Sequence, residues 1–333
     1  MKIDAATHIV PPKYRAAVSQ RCDDKYRLIR EHQGRFPALT DMESRFRVME
    51  PFGDYRQVIS HTFPFIEKIA GPKDTVELVK MGNDELAELV AKHPDRFAAA
   101  VGNLPMNDIG ASLDEIDRIV KDLDFRGIQL CTSINGKPLD DPSFLPVYER
   151  MARYDLPILL HPDRPMTTPD YPGESISKFD IYGVFGWPYE STAAMTRLVF
   201  SGVFEKYPGI KFVTHHCGAM VPYFEQRIAK FYHVRREMGG YDYARGLTKP
   251  PREYFRMFYG DTALNGSTPA LTCGVEFFGV GHVLFGSDMP YDPENGAASI
   301  RDTVKSIEGM KIPAADKEKI FTENARELFR LSV

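Results

Sequence analysis

Pro157-Ile158-Leu159-Leu160-His161 and Lys211-Phe212-Val213-Thr214-His215 are short aliphatic or β-branched runs that each stop at a histidine. Runs of this length and make-up read as buried strands. Working outward from them finds six more: Met1–Ala5, Tyr55–Ser60, Phe97–Asn103, Gly127–Cys131, Met257–Asp261 and Val283–Asp288. Longer amphipathic stretches lie between, among them Asp74–Lys92, Ala111–Leu123, Asp141–Tyr154, Ser191–Lys206, Val221–Glu237 and a last one near Ala314–Leu331. That alternation is the sign of βα units around a parallel sheet. Eight strands close such a sheet, so the expected class is α/β, a (β/α)8 TIM barrel, with residues 1–333 forming a single domain.

Two connections exceed the simple repeat. One is Pro11–Met49, rich in Arg and Lys. The other is Pro162–Pro188, which holds five prolines together with Gly173, Gly183 and Gly186. Long βα loops after strands 1 and 5 are expected to wall or cover a site, because strand ends open where such connections run.

A chain of 333 residues falls within the range of one barrel, about 250 to 400 residues. With 43% hydrophobic and 26% charged residues its composition is that of an ordinary globular protein, and no apolar run reaches the roughly 20 residues a bilayer span needs. A net charge of −4 gives no basis for a nucleic-acid or acidic-membrane partner. Cys22, Cys131, Cys217 and Cys273 are scattered without a C-x-x-C, which suits reduced thiols. Together with an N-terminus that lacks a secretory pattern, this points to the cytoplasm.

In a parallel barrel the C-terminal ends of all strands open on one face. His8 after strand 1, His161 at strand 5, His215 at strand 6 and Asp288 at strand 8 therefore converge. Imidazoles with a carboxylate suit a borderline divalent cation and leave coordination positions for water and substrate. Taken singly, each has a plainer reading: a hydrogen-bonded structural histidine, or in Asp288 a helix N-cap. Four such strand ends together favour a shared site. Arg164, a fixed cation three residues past His161, suits a substrate carboxylate, against an ion pair with Asp163 or Asp170. Strand alternation would turn His216 away from His215, behind the site or against the substrate.

The segments Lys2–Pro11, His93–Val101, Gly127–Gly136, Pro142–His161, Gly202-Val203-Phe204-Glu205-Lys206-Tyr207-Pro208, His215–Arg227 and Phe285–Pro290 give the chain a family likeness. It resembles the decarboxylase-type branch of the amidohydrolase superfamily, the aminocarboxymuconate-semialdehyde decarboxylase-like family. The resemblance implies that His8, His161 and Asp288 hold the metal and that His215 is the catalytic acid/base, with Asp288 assisting. It also implies a pocket role for Trp187, and a homodimer in which Arg235 or Arg236 reaches the neighbouring subunit's substrate. Strand 4 ends in Gln129-Leu130-Cys131, with no counterpart of the bridging lysine of binuclear members, so one divalent metal ion is implied, zinc first and manganese second. The sequence departs from the family pattern at Ala6, where a first-strand ligand is expected, and at Asp163-Arg164, where close relatives have Trp-Asp.

The function this implies is metal-dependent nonoxidative decarboxylation of an aromatic or unsaturated, muconate-type carboxylic acid. Two other readings stay open: a metal-dependent hydrolase or hydratase of a small lactone, ester, amide or enol-acid, and, given Ala6, a barrel that binds a small acid without turning it over.

Overall fold

The computed structural model describes residues 1–62, 66–239 and 246–332. Its barrel strands are β1 (Lys2–Ile9), β2 (Tyr55–His61), β3 (Phe97–Val101), β4 (Ile128–Cys131), β5 (Ile158–His161), β6 (Phe212–Thr214), β7 (Tyr259–Asp261) and β8 (Val283–Leu284), and Ser133–Ile134 pairs with Lys137–Pro138 as a small antiparallel ribbon after β4. The barrel strands form a three-stranded sheet, β1 to β3, and a five-stranded sheet, β4 to β8, with every pair parallel. Parallel bridges Gly102–Ile128 and Thr7–Met289 join the two into a ring. Backbone bonds from Ala5 N to Phe285 O (2.8 Å) and from Asp288 N to Ala6 O (2.9 Å) reinforce the second seam. The chain is an eight-stranded parallel barrel, as the strand count predicts.

The interior is packed with side chains. Ile3, Ala5, Val58, Ala99, Val101, Leu159, Val213 and Leu284 fill it, and Ala325, Leu328, Phe329 and Leu331 from the C-terminal helical segment belong to the same cluster. A second, larger cluster lies between the strands and the surrounding helices. Ile3 and Ala5 belong to the interior, whereas Ile9 belongs to the outer cluster. Strict alternation would put all three on one face. The parity changes because the register of β1 on β2 slips between Asp4 and Thr7, where three steps on β1 match two on β2. A bulge of this kind re-aims the residues beyond it. Here it turns His8, and not Thr7 or Ile9, toward the barrel mouth.

The connection Pro11–Met49 is not an open loop. It forms helices α1 (Pro12–Gln33) and α2 (Met42–Met49). Pro at its first turn suits α1, but its N-cap residue is Pro11, which has no side chain to cap with. Glu85, from the helix α3 (Pro72–Lys92), supplies the cap: its two carboxylate oxygens accept from Lys13 N (3.0 Å) and Tyr14 N (2.9 Å). The carboxylate also complements the positive end of the helix. In α2, Asp41 caps by accepting from Glu43 N at 3.0 Å. The Pro162–Pro188 connection stays irregular until a π-helical turn over Tyr182–Gly186 leads into Trp187–Phe200.

All four cysteines are free thiols. Among the described residues no helix is long and apolar enough to cross a membrane.

Candidate metal centre and active site

His8 is fully buried. Its carbonyl is gripped by the buried Arg45, whose Nη1 donates to it at 2.8 Å and whose Nε donates to Gln57 Oε1 at 2.7 Å. Its Nδ1 lies 3.4 Å from Ser60 Oγ. With that side of the ring engaged, Nε2 faces the mouth, 3.1 Å from Asp288 Oδ1. Asp288 itself lies beyond β8, in the left-handed region at φ 61°. Such a conformation costs a non-glycine residue on the order of 1–3 kcal/mol and recurs at functional sites. No helix begins at Asp288, so the N-cap reading fails; the next helix is Ala297–Gly309.

His161 and His215 complete the ring of imidazoles. Their centroids lie 5.1 Å and 5.6 Å from that of His8 and 5.0 Å from one another. His161 Nδ1 sits 2.8 Å from Pro162 O, which fixes the ring's orientation. Donor atoms of His8, His215 and Asp288 lie within 4.8 Å of one another. Nε2 of His8 and Nε2 of His215 are buried and make no hydrogen bond among the described residues. Buried polar atoms without partners are uncommon, and a set of them converging with a carboxylate fits a cation.

The charge states agree. Burial holds the His8 imidazole below its ordinary pKa. Burial, with His215 and His8 beside it, holds His161 well below. Burial works against ionised Asp288, but the adjoining His216 and His8 outweigh it and keep the carboxyl well below the usual range. Neutral imidazoles around an ionised carboxylate are the state that metal ligation requires.

His216 departs from the strand-alternation argument. β6 ends at Thr214, and His216, Cys217, Gly218 and Ala219 all have positive φ. The left-handed turn swings His216 back, so its Nε2 stands 3.6 Å from Asp288 Oδ2. Burial opposes its protonation, and the Asp288 carboxylate more than compensates, raising its pKa.

Arg164 pairs with neither Asp163 nor Asp170. Its Nη1 lies 3.2 Å from Glu190 Oε1, Asp163 forms an ion pair with Lys68, and Asp170 accepts from Ser177. Arg164, Glu190, Lys68 and Asp163 line an open cavity of about 390 Å³. Trp187 donates its indole N–H to Arg164 O at 3.1 Å, so it holds the backbone of this wall. Arg235 and Arg236 lie apart from this cluster, on the exposed helix Glu225–Glu237.

Two neighbours escaped the sequence reading. Tyr291 lies with its ring 5.8 Å from that of His8, and Phe36 and His32 pack against it at 5.2 Å and 6.3 Å. Asp261, at the end of β7, places Oδ2 3.2 Å from His215 Nδ1. The signal for Asp261 was present, since the strand Met257–Asp261 also ends in a metal- or histidine-binding residue type.

A family profile described as amidohydrolase matches residues 3–331. The chain belongs to the amidohydrolase family. It is 30% identical over 307 residues to gamma-resorcylate decarboxylase of Polaromonas sp. (strain JS666), covering 88% of this chain and 89% of that one. It is 26% identical over 309 residues to 2-amino-3-carboxymuconate-6-semialdehyde decarboxylase of Dictyostelium discoideum, covering 87% and 82%. The crystal structure of a dihydroxybenzoic acid decarboxylase from Polaromonas sp. JS666, with bound manganese and 2-nitroresorcinol, superposes with a TM-score of 0.77 at 26% identity, covering 100% and 97%. The resemblance to the decarboxylase branch is borne out, and so is the barrel.

Proposed function

We propose that this amidohydrolase is a nonoxidative decarboxylase that removes CO2 from an aromatic or unsaturated carboxylic acid at a single divalent metal ion. The observation that carries the reading is the convergence of the His8, His161 and His215 rings, with centroids 5.0 to 5.6 Å apart, beside the Asp288 carboxylate, in a chain whose named relatives are decarboxylases. His8, His161 and Asp288 would hold the ion. Manganese in the Polaromonas structure makes that metal a candidate equal to the zinc expected from the ligand types. When bound, such an ion supplies Lewis-acid stabilisation of the charge that develops as CO2 departs.

The chain's own residues do the rest. As the bond between the ring or vinyl carbon and the carboxylate breaks, its electron pair stays on carbon, and a proton must arrive there to complete the C–H bond. His215, buried at the mouth, is placed to take a proton from the bound acid or its hydroxyl group and return it to that carbon, and Asp288, between His8 and His216, to assist. Arg164 would orient the acid by charge-assisted hydrogen bonds and Trp187 fixes the segment that carries it. Tyr291 and Phe36 offer flat apolar faces beside His8 for an aromatic substrate.

A homodimer is part of the same reading. Helix Glu225–Glu237 has no buried residue and, with the position that follows it, exposes Phe231 (55%), Val234 (38%) and Met238 (80%) beside Arg235. Sedimentation of the purified protein measures this; a monomer at micromolar concentration removes Arg235 and Arg236 from the site.

The test is a panel of hydroxybenzoic and muconate-type acids incubated with the metal-loaded protein, scored for CO2. The expected result is CO2 release that chelation removes and that His215→Ala lowers by on the order of 10² to 10⁴ in kcat. Water uptake without loss of carbon would replace the decarboxylase with a hydratase or hydrolase.

A further inference from the structure

The Asp261 carboxylate is buried, with 1% of the residue exposed, and it has no arginine or lysine partner among the described residues. Isolated buried carboxylates are costly, so each oxygen needs an account. Oδ1 has one: it accepts from Cys217 N at 3.2 Å and from Ala263 N at 3.0 Å. Those two bonds pin Asp261 to its own strand end and to the left-handed turn that follows His215. Oδ2 has no aligned hydrogen bond among the described residues, and neither has His215 Nδ1. The two atoms lie 3.2 Å apart, so a small rotation of the imidazole brings them into line.

Packing explains why Asp261 stays there. A Cβ built on Gly286 would meet the Cβ atoms of Asp261 at 2.9 Å and of Ala6 at 2.8 Å, so the bare backbone of Gly286 lies directly against both. The carboxylate cannot swing toward β8, and its Oδ1 bonds prevent rotation.

We infer that Asp261 is the positioning residue for His215: Oδ2 accepts the Nδ1 proton, which fixes the tautomer and leaves Nε2 unprotonated toward His8 and Asp288. A histidine at a metal site commonly has its second nitrogen held by a carboxylate in this way, and loss of that partner costs about 10- to 100-fold in activity or metal affinity. The inference rests on the acid/base role given to His215 above.

Asp261→Asn makes a sharp test because the outcome for the amide is dictated. Two backbone N–H groups demand an acceptor at the Oδ1 position, so the asparagine oxygen must stay there and its NH2 must face His215 Nδ1. The imidazole is then driven to accept at Nδ1 and to carry its proton on Nε2.

The measurement is the ring tautomer of His215 in ¹⁵N-histidine-labelled, metal-free protein, with the signal assigned by its loss in His215→Gln, together with steady-state kinetics of the metal-loaded forms. Expected are Nδ1–H in the native chain, Nε2–H in Asp261→Asn, and a fall in kcat of about 10- to 100-fold with KM little changed. A native chain with the proton on Nε2 overturns the assignment, even if the variant fails to fold. So does a variant that turns over at the native rate. The tautomer is read without substrate, so failure of the decarboxylase reading leaves this result standing, and the two failures are distinguishable.

Discussion

His8 Nε2 and Asp288 Oδ1 stand 3.1 Å apart although they come from opposite ends of the chain. The seam that closes the barrel sets this separation: His8 N donates to Met289 O and Asp288 N donates to Ala6 O, each at 2.9 Å. Two donors of the candidate metal centre are thus held by backbone bonds of the barrel itself, and the other two imidazoles are tied in the same way, Thr132 N donating to His161 O at 2.9 Å and His215 N to Leu160 O at 3.4 Å. A site built on strand ends in this way is positioned before any ligand arrives.

Ala6 lies on that same seam, and its carbonyl is one of the acceptors. The resemblance leads one to expect a fourth ligand there, and a site short of one ligand holds metal less firmly. Ala6→His is expected to lower the metal dissociation constant by on the order of tenfold or more, measured by competition with a chromogenic chelator. Unchanged affinity would mean that position 6 does not face the ion and that the bulge between Asp4 and Thr7 has moved the ligand register.

Gly186 controls Arg164. A Cβ at position 186 would fall 2.4 Å from Arg164 Cδ, a contact the flexible arginine relieves by moving. Gly186 ends the π-helical turn with φ −68° and ψ −44°, values an alanine adopts without strain, so Gly186→Ala should fold normally. If Arg164 orients the substrate acid, the displaced guanidinium weakens a charge-assisted bond. KM should rise on the order of tenfold with kcat within about threefold. A variant with native KM would leave Arg164 as the partner of Glu190 and nothing more.

The barrel was legible because its strands are apolar runs between amphipathic stretches, and the site because four of those runs end in His or Asp. What was not legible has particular causes. Helix α1 carries many charged residues and little apolar periodicity, and its cap, Glu85, comes from another helix. The sequence therefore reads as a loop. Strand alternation turns His216 away from the site, and that rule lapses once the backbone turns left-handed after β6. Arg164 met Glu190, a partner across the irregular connection that local spacing cannot identify. Asp261 bears the same mark at its strand end as the others, but it stands behind His215 and not among the imidazoles, a difference that residue type alone does not carry.

Glu67 offers a pH dependence separate from the metal centre. Its carboxyl is buried, Oε1 has no hydrogen-bond partner among the described residues, and it lines a small cavity with Asn103, Gln129 and Cys131. Burial pushes its pKa up from 4.5 to about 7, with Lys68 opposing only in part. A carboxyl that binds its proton more tightly when folded contributes stability that is fully present below the unfolded pKa. That contribution is lost as pH rises toward 7, because unfolding then releases a proton the native state retains. Glu67→Gln removes the ionisation and provides an NH2 for Asn103 Oδ1 and Gln129 Oε1, both unpartnered in the same cavity. Urea unfolding of the metal-free protein should therefore show the variant and the native chain alike near pH 4. Above pH 7.5 the variant should be the more stable by about 3 kcal/mol, the free-energy equivalent of the shift. A stability difference that does not change with pH would show that Glu67 is ionised at no cost in the folded chain.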